Sequence, residues 1–153
     1  MRRLFSALLL LLPLAAAGCD SATEPRIEET RFAAHLGVDL SEMTQLAGGM
    51  YVRDIVVGEG PTAQNGTRAR VHYKGWLSTG EMFEQLQPPA VPFSFVVGQD
   101  NVILGWHRGI AGMRVGGRRQ LVIPPSLAYG SGGRGVIPGN AILVFEVALV
   151  SVD

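Results

Sequence analysis

Only one stretch of the chain, Asp100 to Met113 (DNVILGWHRGIAGM), carries a helical apolar period, so the fold must be built around a single short helix. Ile103, Trp106, Ile110 and Met113 recur at three- and four-residue spacing and make one stripe, with His107, Arg108 and Arg114 off it. Asp100 or Asn101 is expected to cap the start, Gly116-Gly117 to supply the stop, and Arg114 to suit the negative end of the helix dipole. Taken alone, Trp106 in such a stripe reads as core. In a first turn, however, backbone N–H groups lack intrahelical partners, and an indole placed there can floor a pocket.

Elsewhere the period is two. Thr67, Ala69, Val71, Tyr73 and Leu77 fall on one face of a long strand and Arg68, Arg70, His72 and Lys74 on the other, which predicts one core face and one solvent face. Met50 to Val57, Phe93 to Val97, Arg118 to Ile123 and Ala141 to Val150 read as further strands, with Leu143, Phe145, Val147 and Leu149 alternating in the last. Twenty glycines and nine prolines punctuate these runs and favour many turns between short strands. The expected product is an α+β domain: an antiparallel sheet with one short helix.

The N-terminus has a different character. Met1 to Cys19 has a basic start, an apolar run from Leu4 to Ala17 and small residues before the chain's one cysteine, the pattern of a secretory signal peptide. Fourteen residues are short for a bilayer-spanning helix. Ala16-Ala17-Gly18-Cys19 resembles a bacterial lipobox, with Ala16 where leucine is usual, and implies cleavage before Cys19 and lipidation of its thiol. The competing cut after Ala17 releases a soluble chain with a free thiol. Three parts are therefore expected: signal peptide 1–18, a polar tether and short N-terminal segment over 19–48, and a folded domain over 49–153. Asp20 to Arg31 reads as the tether, and Ser41-Glu42 as the start of a short helical turn. The implied location is the bacterial cell envelope, lipid-anchored on the periplasmic face of the inner or outer membrane, or secreted or periplasmic without the lipid.

Several chemistries find no support. Formal charge is zero, and loss of residues 1–18 leaves 11 basic against 13 acidic residues, so nothing points to nucleic acid. Gly130-Ser131-Gly132-Gly133-Arg134-Gly135 matches G-x-G-x-x-G, but Pro138 and Gly139 forbid the helix that dinucleotide binding needs there. No nucleophile motif exists, and His35, His72 and His107 lack metal-ligand spacing, so no metal or other cofactor is expected. What remains is aromatic. Tyr73, Phe83, Phe93, Trp106, Tyr129 and Phe145 come from separate segments, and an aromatic-lined cleft on a half-open sheet fits their positions; an ordinary core accounts for some of them.

Six motifs then occur in a telling order: VHYKGWL (Val71 to Leu77), G-x-x-F-E (Gly80 to Glu84), PFSFVVG (Pro92 to Gly98), VILGWHRGIAGM (Val102 to Met113), LVIPPSLAYG (Leu121 to Gly130) and VIPGNAILVFEVALV (Val136 to Val150). From about Met50 to the C-terminus the chain resembles the FKBP-type peptidyl-prolyl cis-trans isomerases. That resemblance implies a curved antiparallel half-barrel wrapped around one short helix, and acceleration of X-Pro bond rotation without covalent or metal catalysis. It implies catalytic roles for Tyr73, Phe83, Glu84, Trp106, Tyr129 and Phe145, and substrate-binding roles for Phe93, Val102, Ile103, Val136 and Ile137. Trp106 would form the floor, and the Ile103 N–H and Tyr129 hydroxyl would donate to substrate carbonyls. The implied partners are proline-containing unfolded or extended polypeptides and tacrolimus- or rapamycin-type macrolide inhibitors. Three departures stand out. Glu84 replaces the usual aspartate, Asn101 stands where the best-known members carry glutamate, and the loop after Tyr129 is about one residue shorter. A lipid-tethered, chaperone-like binding module with little isomerase activity is the alternative that Glu84 and the shorter loop keep open.

Overall fold

The computed structural model of the chain describes residues 23–153. The leader and Cys19 therefore lie outside the described residues. Seven strands form one antiparallel sheet: β1 (Thr44–Gln45), β2 (Tyr51–Val56), β3 (Arg68–Leu77), β4 (Met82–Leu86), β5 (Phe93–Val96), β6 (Arg118–Ile123) and β7 (Leu143–Val152). Their order is β1-β2-β6-β7-β3-β4, with β5 also on β3. β4 and β5 share one edge of β3: Tyr73 to Trp76 pair with β4 and Arg68 to Val71 with β5, while β7 takes the other edge. This is the expected α+β architecture, with the helix α1 (Leu104–Ile110) packed on the sheet.

The helix is shorter than the apolar period suggested. Asp100 does not cap it: its Oδ2 accepts from the Val96 N–H at 2.6 Å, closing the turn after β5, and Ile103 becomes the N-cap without a side-chain cap bond. Nor does Arg114 serve the C-terminus, because it donates to the Gly60 and Glu59 carbonyls. Arg119 does so instead, reaching the Gly109 carbonyl at 3.0 Å while pairing with Asp54. Two glycines set the approach to the sheet. A Cβ at Gly105 would meet Ile123 at 2.5 Å, and one at Gly109 would meet Leu121 at 2.8 Å. Glycine costs helix propensity, yet here it lets the backbone lie on β6 with Ile110 and Met113 buried beneath.

The outer face of the sheet is only partly left to solvent: on β3 Arg68 is exposed and Arg70 and Lys74 are half-buried, as a solvent face requires, but other parts of this face are covered. His72 is 8% exposed, and Trp76 joins a second apolar cluster formed by Ile27, Leu36, Val122, Ile142 and Val144. The residues covering this face come from the N-terminal segment, so the tether reading fails from about Arg26 onward: Ile27 is 2% exposed. Phe32, Val38, Leu40 and Met43 pack against the same cluster. Polar bonds hold the strap down. Gln120 Nε2 donates to the Leu36 carbonyl at 2.7 Å, and Arg53 reaches the Gly37 carbonyl at 2.9 Å and Glu42 at 2.7 Å. The turn expected at Ser41 is a 3-10 turn, Leu40–Glu42, capped by Asp39, whose Oδ1 accepts from the Ser41 N–H.

Candidate active site

The inner face of the sheet, α1 and the loop after β6 enclose a cleft of about 940 Å³. Its floor is Trp106, 5% exposed, set by the first turn of α1. Three rings meet the indole nearly edge to face: Tyr73 at 4.9 Å, Phe145 at 5.5 Å and Phe93 at 5.8 Å between centroids. Such arrangements set the positive edge of one ring against the negative face of another. Among the described residues the Trp106 Nε1 has no hydrogen-bond partner. Behind the indole lies Phe95, 5.7 Å away and buried, a supporting ring that the motif reading passed over.

β3, β4 and β7 supply the wall. Phe83 and Phe145 meet at 5.5 Å and 84°, directly over Gly75. A Cβ at Gly75 would lie 2.7 Å from the Phe83 ring and 2.8 Å from the Phe145 ring, so the glycine is what admits this pair. Tyr73 lies on the same face of β3. Burial first, and then the neighbouring Glu84 carboxylate, push its phenol well above the ordinary tyrosine range and keep it neutral. The acid at Glu84 thus lies near Tyr73.

The mouth is framed by the start of α1 and by the loop from Ala128 to Ile137. Among the described residues the Ile103 N–H donates to no backbone carbonyl, as a helix N-cap allows. His107 steadies this end, accepting from the Gly98 N–H at 2.8 Å through Nδ1 and donating through Nε2 to the Asp100 carbonyl at 2.9 Å. Arg134 and Ile137 exchange two backbone hydrogen bonds of 2.9 Å, which ties the loop into a tight hairpin. All eleven residues carried over from the resemblance, from Tyr73 to Phe145, line this one cleft. Cys19 is outside the described residues. The lining also includes Asn101, Leu104, Ala128, Arg134 and Gly135. Of these, Arg134 was visible in the sequence only as part of a glycine-rich loop.

A half-open antiparallel sheet closed over one helix, with a cleft that carries six aromatic rings between them, defines the class of the fold as α+β. A family model described as FKBP-type peptidyl-prolyl cis-trans isomerase matches residues 60–150. The chain is 46% identical over 111 residues to FK506-binding protein 4 of Rhizopus delemar, covering 72% of this chain and 29% of that one. It is 42% identical over 106 residues to an FK506-binding protein of Neisseria meningitidis, covering 69% of this chain and 97% of that one. A solved peptidyl-prolyl cis-trans isomerase from Pseudomonas syringae superposes with a TM-score of 0.67 at 33% identity, covering 78% and 86% of the two chains. The chain belongs to the FKBP-type peptidyl-prolyl cis-trans isomerase family. It spans less than a third of the Rhizopus relative and nearly all of the Neisseria one.

Proposed function

We propose that the chain accelerates rotation about X-Pro bonds in exported or envelope polypeptides, seating the prolyl ring on Trp106 within the aromatic cleft. The observation that carries this reading is the convergence of Tyr73, Phe93 and Phe145 edge-on to a buried indole beside the free Ile103 N–H. Peptide rotation faces a barrier of about 18–20 kcal/mol, and X-Pro bonds take tens to hundreds of seconds unaided. Amide resonance places charge on O and N in the planar form; the twisted transition state loses that separation and is less polar. A dry aromatic site therefore binds the twisted form better than the planar one, and no proton need move. A gain of about 10⁵ needs only ~7 kcal/mol of such differential binding. In this reading the Ile103 N–H and the Tyr129 hydroxyl fix the substrate carbonyls, and macrolides of the tacrolimus or rapamycin type compete for the cleft.

Cys19 carries lipid in the same proposal, and the domain works at the periplasmic face of a bacterial membrane. A thioether-linked diacylglycerol with an N-terminal acyl chain anchors stably, since two such signals suffice. Membrane extraction and mass spectrometry of the mature N-terminus test this, and an unmodified Gly18 start overturns it. For the activity, a coupled proline-isomerisation assay with and without a tacrolimus-type inhibitor is decisive. The second reading, a chaperone-like binding module, draws on the exposed apolar residues of the mouth: Val136 is 76% and Leu104 53% exposed at the cleft. Inactivity in that assay with retained binding of an unfolded chain favours the module.

A further inference from the structure

The cleft has two charged lining residues among those described, Glu84 and Arg134. Glu84 lies beside Tyr73, whose phenol it helps to raise. Arg134 stands without an acidic partner. Among the described residues no carboxylate lies within ion-pair distance of its guanidinium, although six other ion pairs form on this molecule. Its position is nevertheless set. The two backbone bonds with Ile137 fix its main chain, flanking Gly133 and Gly135 hold positive φ of 64° and 56°, and the guanidinium carbon lies 5.6 Å from the centroid of the Tyr129 ring. An arginine stacked in this way keeps its N–H edge free for a carboxylate, which it can grip through two parallel bonds.

We propose that Arg134 is a specificity-determining residue of the cleft, favouring prolyl segments that carry an acidic side chain next to the proline. This rests on the isomerase reading for its substrate class. A prolyl ring on Trp106 leaves its flanking residues at the mouth, where Arg134 is the one lining cation among the described residues and Glu84, the one lining carboxylate, forms no ion pair with it. Solvent reaches the guanidinium, so the preference is modest and salt-dependent.

The test uses peptides identical except for glutamate, glutamine or lysine immediately before or after the proline. Turnover is read by NMR exchange and affinity by titration, both on the folded domain. At low salt the better-placed glutamate peptide is expected to exceed its glutamine counterpart in kcat/KM by about threefold and lysine to fall below it, the size of an exposed ion pair. Raising salt to about 0.5 M should bring the ratio towards one. Arg134→Gln should abolish the preference, Arg134→Glu should invert it, and Arg134→Lys should retain the salt-sensitive part. Equal rates for glutamate and glutamine in the unaltered protein, or a preference that survives Arg134→Gln, overturn the proposal. If no peptide is turned over, the isomerase reading is what fails, and the ratio of affinities in the same titration still decides the role of Arg134.

Discussion

Single side chains decide whether the cleft holds its shape. Phe83→Ala or Trp106→Leu is expected to cut turnover while the fold survives, because each empties part of the cleft lining and leaves the ladder of β3 and β7 intact; circular dichroism beside the coupled assay separates the two effects. Gly75→Ala acts in the opposite sense, by overfilling. Its methyl would force Phe83 and Phe145 apart, at a cost of about 1–3 kcal/mol in a urea melt, and turnover should fall with it. Tyr73 gives an alkaline signature. Because its folded pKa is raised, its contribution is fully present below the ordinary tyrosine value of 10 and is lost as pH climbs through the folded value. Stability should therefore decline above pH 10, and the decline should be shallower in Tyr73→Phe. Nothing in the proposed rotation step moves a proton, so kcat/KM should stay nearly flat from pH 6 to 8.

Among the elements, the N-terminal strap departs most from what the sequence suggested. Removing residues 24–43 is expected to expose Val122, Val144, Ile142 and Trp76, and to lower the denaturation midpoint and promote aggregation, measured by melts and light scattering. A milder probe is acid. The Tyr51 hydroxyl donates to Glu28 at 2.7 Å and holds that carboxyl below the usual range, so this bond's contribution is lost as pH falls below about 4.5. Tyr51→Phe should remove that acid-sensitive part. The strap was hard to read because its sequence mixes charges with isolated apolar residues, and Ile27 alone does not make a period. The better clue lay elsewhere. In β6 and β7, Leu121 faces Phe145 on the inner side while Val122 faces Val144 on the outer, and strands apolar on both faces must be covered on both. The alternation of β3 and β7 was legible directly. The limits of α1 were not, because Asp100 was already engaged by the β5 turn and the helix was set by glycines fitted to Ile123 and Leu121. The cleft residues became legible through the order of six motifs rather than through any one pattern. Phe95, Gly75 and Arg119 act through their neighbours, and their roles appear only when those neighbours are placed.

For the molecule as a whole, the inner face of the sheet serves the cleft and the outer face carries the strap, and in the proposed function the cleft is where a ligand is covered on several sides. A tacrolimus-type ligand at about 100 times its Kd should therefore stabilise the fold by roughly 2.7 kcal/mol, seen as a rise in Tm that scales with the logarithm of ligand concentration; no rise at saturation counts against macrolide binding.

The docked strap also sets a length scale. Pro25 lies beside Pro138 to Ile142, the segment that runs directly on from the cleft residue Ile137. With lipid on Cys19, as proposed, six links separate the anchor from Pro25 and reach about 20 Å at most. A free thirty-residue leash would let the domain wander; the proposed one would confine it to a thin layer over the bilayer. Within that layer, chains emerging from the membrane would meet the enzyme at a far higher effective concentration than its total amount in the compartment would give.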